Sequence, residues 1–271
     1  MRSGEKLFCY AVAALFMLFL LAPVVWMLAS SFKGALAMFA DPPVLIADFT
    51  LDNYRQVLSD SQFTRAFLNS VIVSSGTAII SMALAIPASY SLARLQSNAR
   101  PALVSIILLV RAAPGMIFVI PYFLVYQRTG LMDTRTGLII INTIFSVPLA
   151  IWVLIPFFQS VPLAIEEAAR IDGATRMQIL TRVAVPIAAP GIVSTAILVF
   201  IFAWNEFLFA LTLTRFEAKT APIAILNYMA YEGTEWGKVS AAGVIILLPV
   251  AVFAMFIRKY LVRSAAGGVK G

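Results

Sequence analysis

Residues 160–184 have the sequence SVPLAIEEAARIDGATRMQILTRVA and lie between two long apolar runs. Ser160, followed two residues later by a proline, is typical of a helix start. Gly173 can adopt the left-handed conformation that ends a helix. Thr175 and Gln178 have the spacing of a capping box, which opens a second helix. The segment therefore predicts two helices joined at a glycine, and we call it the elbow.

The elbow joins two of six apolar segments. A membrane-spanning helix needs about 20 mostly apolar residues, and 61% of this 271-residue chain is hydrophobic while only 12% is charged. The composition predicts an all-α polytopic membrane protein with six transmembrane helices and excludes a water-soluble enzyme. The predicted spans are residues 7–32, 66–93, 101–127, 136–158, 185–214 and 239–257.

The charged residues between the spans predict the orientation. The N-terminus, the elbow and the tail at 258–271 share one side with eleven basic and four acidic residues, whereas the other side has eight of each. Since basic residues concentrate in cytoplasmic loops, we expect both termini and the elbow to be cytoplasmic. The long loops at 33–65 and 215–238 of this multi-pass protein then lie on the opposite side of the membrane.

Several kinds of chemistry are excluded by residues that the sequence lacks. The chain has no histidine and a single cysteine, Cys9, so it offers no His-bearing zinc site, no Ser-His-Asp triad and no disulfide framework. It also lacks a G-x-x-x-x-G-K-[ST] phosphate loop. We therefore expect no catalytic residue, no metal site and no cofactor in this chain.

A motif inside the elbow resembles one known family. Glu167-Ala168-Ala169, three residues, Gly173, nine residues and then Val183-Ala184-Val185-Pro186 resemble the EAA loop of permease subunits of bacterial ABC importers. The usual Ile and Leu before the proline are Val183 and Val185 here, which keeps their apolar, branched character. Further segments are similar to the carbohydrate-uptake branch, the relatives of the smaller maltose-transporter permease: residues 49–54, 68–70, 186–191, 204–207 and 267–271.

The resemblance implies a type I importer permease fold and a division of labour. It also implies a place in the bacterial inner (cytoplasmic) membrane, with periplasmic loops at 33–65 and 215–238. Two such permeases form the pore, two ATPase subunits bind ATP and Mg, and a periplasmic binding protein delivers the solute. The first elbow helix is implied to dock in a cleft of one ATPase. From the residues alone, an elbow that lies on the membrane surface and binds nothing is an equal alternative. The candidate ATPase-coupling residues are Glu166, Glu167, Ala168, Ala169, Arg170, Asp172, Gly173 and Arg176.

Two charges fall within the predicted spans. Arg111 and Glu206 lie at different depths, so we expect separate surroundings and no direct pair. Arg111 can meet an anionic solute or stabilise a helix broken at Pro114-Gly115. With Trp204 and Asn205, Glu206 forms a polar cluster that can line the solute path or hydrogen-bond across a subunit interface.

Two further regions are candidate contact sites. By resemblance, the loop at 215–238 would reach the binding protein through Asn227, Tyr228 and Tyr231, although it can also be a cover with no such role. The basic tail, with Gly268 and Lys270, would reach the ATPase pair by the same resemblance, or otherwise anchor to anionic lipid.

Together these features predict a permease subunit of an ATP-driven importer. It would form half of the pore for a sugar, oligosaccharide or glycoside, neutral or anionic. The alternative is a stand-alone ion-coupled transporter, which would be expected to place paired ionisable groups or broken helices in two matching halves. An intramembrane enzyme would need a nucleophile and a base, and no lysine lies inside a predicted span.

Overall fold

The computed structural model describes residues 3–39, 49–230 and 233–267, and within them the chain is almost entirely helical. Five described helices are long and apolar enough to cross a membrane: Glu5–Ser31, Ser61–Arg94, Arg135–Gln159, Arg176–Trp204 and Trp236–Met255. They correspond to five of the six predicted spans. The predicted all-α class holds apart from one short antiparallel strand pair.

The helices follow one another with short connections. In chain order they are α1 (Ser3–Ser31), α2 (Ala35–Met38), α3 (Asp52–Ser59), α4 (Ser61–Arg94), α5 (Arg100–Ala112), α6 (Gly115–Thr129), α7 (Arg135–Gln159), α8 (Leu163–Ile171), α9 (Arg176–Gln178), α10 (Val185–Trp204), α11 (Leu208–Leu213), α12 (Ala221–Ala224) and α13 (Trp236–Gly267). A π-helical segment, Ile179–Ala184, joins α9 to α10, and a 3₁₀ turn, Ile225–Tyr228, precedes strands β1 (Met229–Ala230) and β2 (Gly233–Thr234).

The predicted span at 101–127 is two helices rather than one. Pro114 has no backbone N–H and disfavours helical geometry in the residue before it. Accordingly Ala113 is extended, with φ −73° and ψ 133°, and α5 ends one residue earlier. Helix α6 then begins at Gly115.

The predicted span at 185–214 also differs from the structure at both ends. The helical run begins at Arg176, because the second elbow helix continues without a break through the π segment into α10. It ends at Trp204, and α11 is a separate short helix. At the far end of the chain, α13 continues ten residues beyond the predicted limit of 257.

The chain divides into two compact units, residues 1–65 with 224–249 and residues 66–223 with 250–271. In the first unit, the amide of Asn53 donates to the carbonyls of Ser31 and Lys33 at 3.0 and 2.9 Å, which fixes α3 against the end of α1. The apolar side chains of α1 are largely exposed, as expected for a helix that faces lipid.

The second unit holds the main apolar core. Buried residues of α4, α7, the elbow and α10 pack together, including Ala85, Leu154, Phe158 and Val199. Gly191 of α10 allows close approach to α7, because a side chain at that position would overlap the ring of Phe157. This packing seats the elbow directly against the membrane-spanning helices.

Candidate functional site

The elbow forms the helix–glycine–helix turn that its sequence predicts. Gly173 has φ +84°, which L residues with side chains rarely adopt, and its N–H donates to the carbonyl of Arg170 at 3.1 Å. The capping box is present: the Gln178 N–H donates to Thr175 Oγ1 at 3.3 Å, and the Thr175 N–H donates to Gln178 Oε1 at 2.8 Å. Both predictions are confirmed.

The predicted role of Ser160 as the cap of the first elbow helix is wrong. Ser160 instead ends α7, where its hydroxyl donates backwards to the carbonyl of Phe157 at 2.7 Å. Ser160 also lies three residues before Leu163, the first residue of α8, and is not at the capping position, which Pro162 occupies. Helix α8 starts after Pro162 without a side-chain cap.

Most of the predicted coupling residues lie on the exposed surface of the elbow. Glu167, Ala168, Arg170, Asp172, Gly173 and Arg176 are exposed, and Ala169 is partly buried. The sequence analysis missed two large apolar side chains beside them, Ile171 at 86% exposure and Met177 at 65%. Exposed apolar side chains rimmed by charges are typical of a protein-binding surface. We call Glu167, Ala168, Arg170, Ile171 and Met177 the elbow surface.

Glu166 differs from the other predicted coupling residues because it is buried, at 3% exposure. Arg94, the last residue of α4, donates to its carboxylate from Nε at 3.1 Å and from Nη2 at 2.7 Å. The Tyr90 hydroxyl donates to Glu166 Oε2 at 2.9 Å. Glu166 therefore faces α4 and is not part of the elbow surface. Neither Arg94 nor Tyr90 was among the predicted site residues.

Arg111 and Glu206 have separate surroundings, as their predicted depths require. The Arg111 guanidinium lies 4.7 Å above the ring of Phe202 and donates to the carbonyl of Phe145 at 3.3 Å. Glu206 accepts from the N–H groups of Phe209 at 2.7 Å and Ala210 at 3.0 Å. Glu206 thus caps the start of α11.

The two helix breaks lie against each other. A side-chain carbon at Gly115, the first residue of α6, would lie 3.4 Å from Leu208, the first residue of α11. Of the remaining predicted path residues, Trp204 is 1% exposed and stacks on Phe200, so it is part of the core. Asn205 is exposed and donates to the carbonyl of Ile201 at 2.9 Å.

A set of polar residues to which the sequence alone assigned no role holds the loop at 215–221. The buried Asn69 donates to the carbonyls of Glu217 and Lys219 at 2.8 and 2.9 Å and accepts from Arg135 Nε at 2.7 Å. The neighbouring Ser70 accepts from the N–H of Ala221 at 2.8 Å. We call Asn69, Ser70, Asp133 and Arg135 the loop clamp.

Asp133 holds the start of the same loop. Burial opposes its ionisation, but four N–H groups outweigh that effect and lower its pKa from 3.8 to about 2. Asp133 itself has φ +55°, in the left-handed region. The four donors are Arg215, Phe216, Glu217 and Ala218, at 2.9–3.2 Å.

The predicted contact residues of the second long loop have different settings. Tyr228 is 6% exposed and its hydroxyl donates to Asp60 at 2.8 Å, so it is a packing residue. Burial and this carboxylate both raise the pKa of Tyr228. Asn227 is exposed and donates to Gln62 at 3.2 Å. Tyr231, Gly268 and Lys270 lie outside the described residues.

Comparison with known proteins gives the family. The model of the binding-protein-dependent transport system inner membrane component family matches residues 85–267, which include the elbow and both helix breaks. The chain belongs to this family. The permease is 38% identical to the trehalose transport system permease protein SugB of Mycobacterium tuberculosis over 255 residues, covering 93% of each chain.

Two further comparisons extend over nearly the whole permease. It is 34% identical to the trehalose/maltose transport system permease protein MalG of Thermococcus litoralis, covering 96% of this chain and 95% of MalG. A chain in the crystal structure of a bacterial ABC transporter involved in the import of the acidic polysaccharide alginate matches with a TM-score of 0.77 and 25% identity, covering 96% of the permease and 98% of that chain. The fold is that of a type I importer permease.

Family membership fixes the class of function. The chain is an inner-membrane, pore-forming permease subunit of an ABC importer and is not an enzyme. The alternative of a stand-alone ion-coupled transporter is therefore set aside.

Proposed function

We propose that this permease forms half of the pore for a sugar, oligosaccharide or glycoside and is driven through its elbow by a separate ATPase. The elbow surface carries the proposal. It presents Ile171 and Met177 beside Glu167 and Arg170 at the turn formed by Gly173, which suits insertion into a groove of a partner protein. The trehalose and maltose systems to which SugB and MalG belong support a carbohydrate substrate.

The remaining partners follow from this assignment. We propose a complex of two homologous permeases, two ATPase subunits that bind ATP and Mg, and a periplasmic solute-binding protein. Both termini and the elbow are then cytoplasmic, in agreement with the excess of basic residues on that side.

The surroundings of Arg111 bear on the charge of the solute. Its guanidinium already engages a backbone carbonyl and the Phe202 ring at the break between α5 and α6. These contacts favour a structural role in the broken helix, so no anionic group on the solute is needed to account for a charge within the membrane. We propose that the permease takes a carbohydrate and that Arg111 does not select for an acidic one.

The experiment is to reconstitute the complete complex in nanodiscs and measure co-purification of the ATPase and ATP hydrolysis stimulated by the binding protein loaded with candidate glycosides. We expect Gly173→Asp and Glu167→Lys to lose bound ATPase and stimulated hydrolysis. Gly130→Asp is the matched control, because Gly130 also has a left-handed φ of +70° and nothing within 4 Å of its added Cβ, as at Gly173.

Two results would contradict the proposal. Retention of ATPase and transport at wild-type levels in both elbow variants would refute docking through the elbow. Transport by the permease without ATP would refute an ATP-driven importer altogether.

A further inference from the structure

Helix α8 is bound to the end of α4 through the carboxylate of Glu166, and Arg94 makes most of the contacts. The Arg94 guanidinium binds the Glu166 carboxylate through two nitrogens and also donates from Nη2 to the carbonyl of Val161 at 2.9 Å. Val161 lies two residues before the start of α8, and Glu166 lies in the first turn of that helix. One residue of α4 therefore holds both the entry to the first elbow helix and the helix itself.

The contact between Arg94 and Glu166 is largely shielded from solvent and supported by neighbouring side chains. The Arg94 side chain is 18% exposed and that of Glu166 only 4%. Tyr90, one turn before Arg94, donates to the same carboxylate and packs edge-on against Phe158 at the end of α7. A buried ion pair often contributes less stability than apolar residues of the same volume. Its use here favours a positioning role, with a defined geometry between α4 and α8.

Near its opposite end, the same helix carries two of the four residues of the loop clamp. Asn69 and Ser70, near the start of α4, bind the backbone of Glu217, Lys219 and Ala221. With a rise of about 1.5 Å per residue, the stretch between Asn69 and Arg94 corresponds to about 37 Å, which is more than the thickness of the hydrocarbon core. All of these residues belong to one compact unit.

Close packing supports α4 between its two ends. A side-chain carbon at Gly76 would lie 2.8 Å from Ile139 of α7, so the two helices approach closely there. Small residues at such contacts let helix backbones approach closely in membranes. Met82 and Ala85 continue the packing into the main core. Helix α4 thus packs against α7 along its length, and its two ends hydrogen-bond to the loop at 215–221 and to the elbow.

We propose that Arg94 is a positioning residue that fastens the elbow to α4, so that α4 carries displacement of the elbow to the loop at 215–221. This inference rests on the proposed docking of an ATPase on the elbow. It assigns a role to Tyr90, Arg94 and Glu166, none of which lies on the elbow surface, and to the Asn69-Ser70 segment singled out in the sequence.

The test uses Arg94→Ala and Glu166→Gln in the complete complex, reconstituted in proteoliposomes. We expect both variants to keep the bound ATPase, because the elbow surface is intact. Solute taken up per ATP hydrolysed should fall roughly three- to thirtyfold, the range expected when a coupling contact is lost. Arg94→Lys, which keeps the charge but not the two-nitrogen contact, should fall between wild type and Arg94→Ala.

Two controls separate this inference from docking and from misfolding. Arg128→Ala removes an exposed arginine near the end of α6 and should leave uptake per ATP unchanged. Thermal unfolding of each purified complex identifies variants that fail to fold. If Arg94→Ala or Glu166→Gln fails to fold, Arg94→Lys is compared with wild type in its place. Uptake per ATP is the informative readout, because partial misfolding lowers uptake and hydrolysis together and leaves their ratio unchanged.

The possible outcomes are distinct. If Arg94→Ala and Arg94→Lys keep the ATPase and the wild-type ratio, the positioning role of Arg94 is refuted while docking stands. If they lose the ATPase, Arg94 only shapes the docking surface and the inference is likewise overturned. If Gly173→Asp and Glu167→Lys have no effect, it is the proposed docking that fails.

Discussion

Replacement of Asn69 by alanine tests the loop clamp at a residue with no exposed surface. The change removes two amide donors to the carbonyls of Glu217 and Lys219 and the acceptor for Arg135. A hydrogen bond between neutral groups contributes about 0.5–1.5 kcal/mol and one to a charged group about 1.5–3 kcal/mol. Because Arg135 lies outside the loop, opening of the loop breaks only the two bonds to the loop carbonyls. We therefore take about 2 kcal/mol, the middle of their total of about 1–3 kcal/mol.

Trypsin measures this opening directly. The carbonyl attacked after Lys219 is itself one of the two that Asn69 binds, so the bond is protected while the clamp is closed. When cleavage is slow relative to closing, its rate follows the population of the open loop. A loss of about 2 kcal/mol should then raise the rate of cleavage after Lys219 about 30-fold, as measured by mass spectrometry on the permease in nanodiscs.

Two further variants make the result diagnostic. Asn98→Ala alters an exposed asparagine in the turn before α5 and should leave the rate within about twofold of wild type. Asn69→Asp keeps an oxygen for Arg135 but turns a carboxylate towards two carbonyl oxygens, so it should open the loop at least as much as alanine. If Asn69→Ala matched Asn98→Ala, or if Asn69→Asp cleaved at the wild-type rate, the described clamp would be refuted.

Three other perturbations follow from the described contacts. The folded pKa of Asp133 is about 2, against an ordinary value of 3.8. Its stabilisation of the loop should therefore be complete above pH 4 and lost as the pH falls towards 2. Pepsin cleavage of the loop should rise across that pH window in wild type and show no such rise in Asp133→Asn. Gly137→Ala would place a carbon 2.5 Å from the carbonyl oxygen of Leu131 and should cost about 1–3 kcal/mol in thermal unfolding, whereas Gly34→Ala, with open space around it, should cost less than about 1 kcal/mol. Glu206→Ala removes the acceptor for two N–H groups at the start of α11 and should destabilise the permease by about 1–2 kcal/mol; an unchanged melting temperature would contradict this capping role.

Local sequence patterns predicted the local structure well. Apolar run length located five continuous membrane-spanning helices, because burying a backbone in lipid requires a long helix whatever its neighbours are. The left-handed turn at Gly173 and the capping box from Thr175 to Gln178 depend on residues at most three apart. Such features are set by the chain itself and need no tertiary contact.

Features that depend on distant residues were not predictable in the same way. Glu166 belongs to the predicted coupling motif, yet its burial is caused by Arg94, 72 residues away. The loop clamp joins Asn69 to carbonyls 148 and 150 residues further along. A single sequence carries no signal for such pairs, apart from the cost of leaving a polar side chain unpaired in a helix that is otherwise apolar.

The two helix breaks, after Ala112 and after Trp204, depend partly on local sequence and were only partly predictable. Pro114 gives a local reason for the end of α5, and a helix broken at Pro114-Gly115 was one of the two predicted settings of Arg111, although the span at 101–127 was predicted as a single segment. The break after Trp204 has no proline; it depends on Glu206, whose carboxylate satisfies the free N–H groups of the next short helix. Because Glu206 lies within a long apolar run, the sequence did not indicate that it caps the start of α11. It was instead assigned to a solute path or a subunit interface.

In the proposed function, a separate ATPase binds the elbow surface and drives this permease through it. A photo-reactive amino acid in place of the exposed Ala168, incorporated in the assembled complex and irradiated, tests it most directly, with the same group at the exposed Thr129 as control. We expect a cross-link to the ATPase subunit from position 168 and none from position 129. No ATPase cross-link from position 168, or an equal yield from both positions, would contradict it.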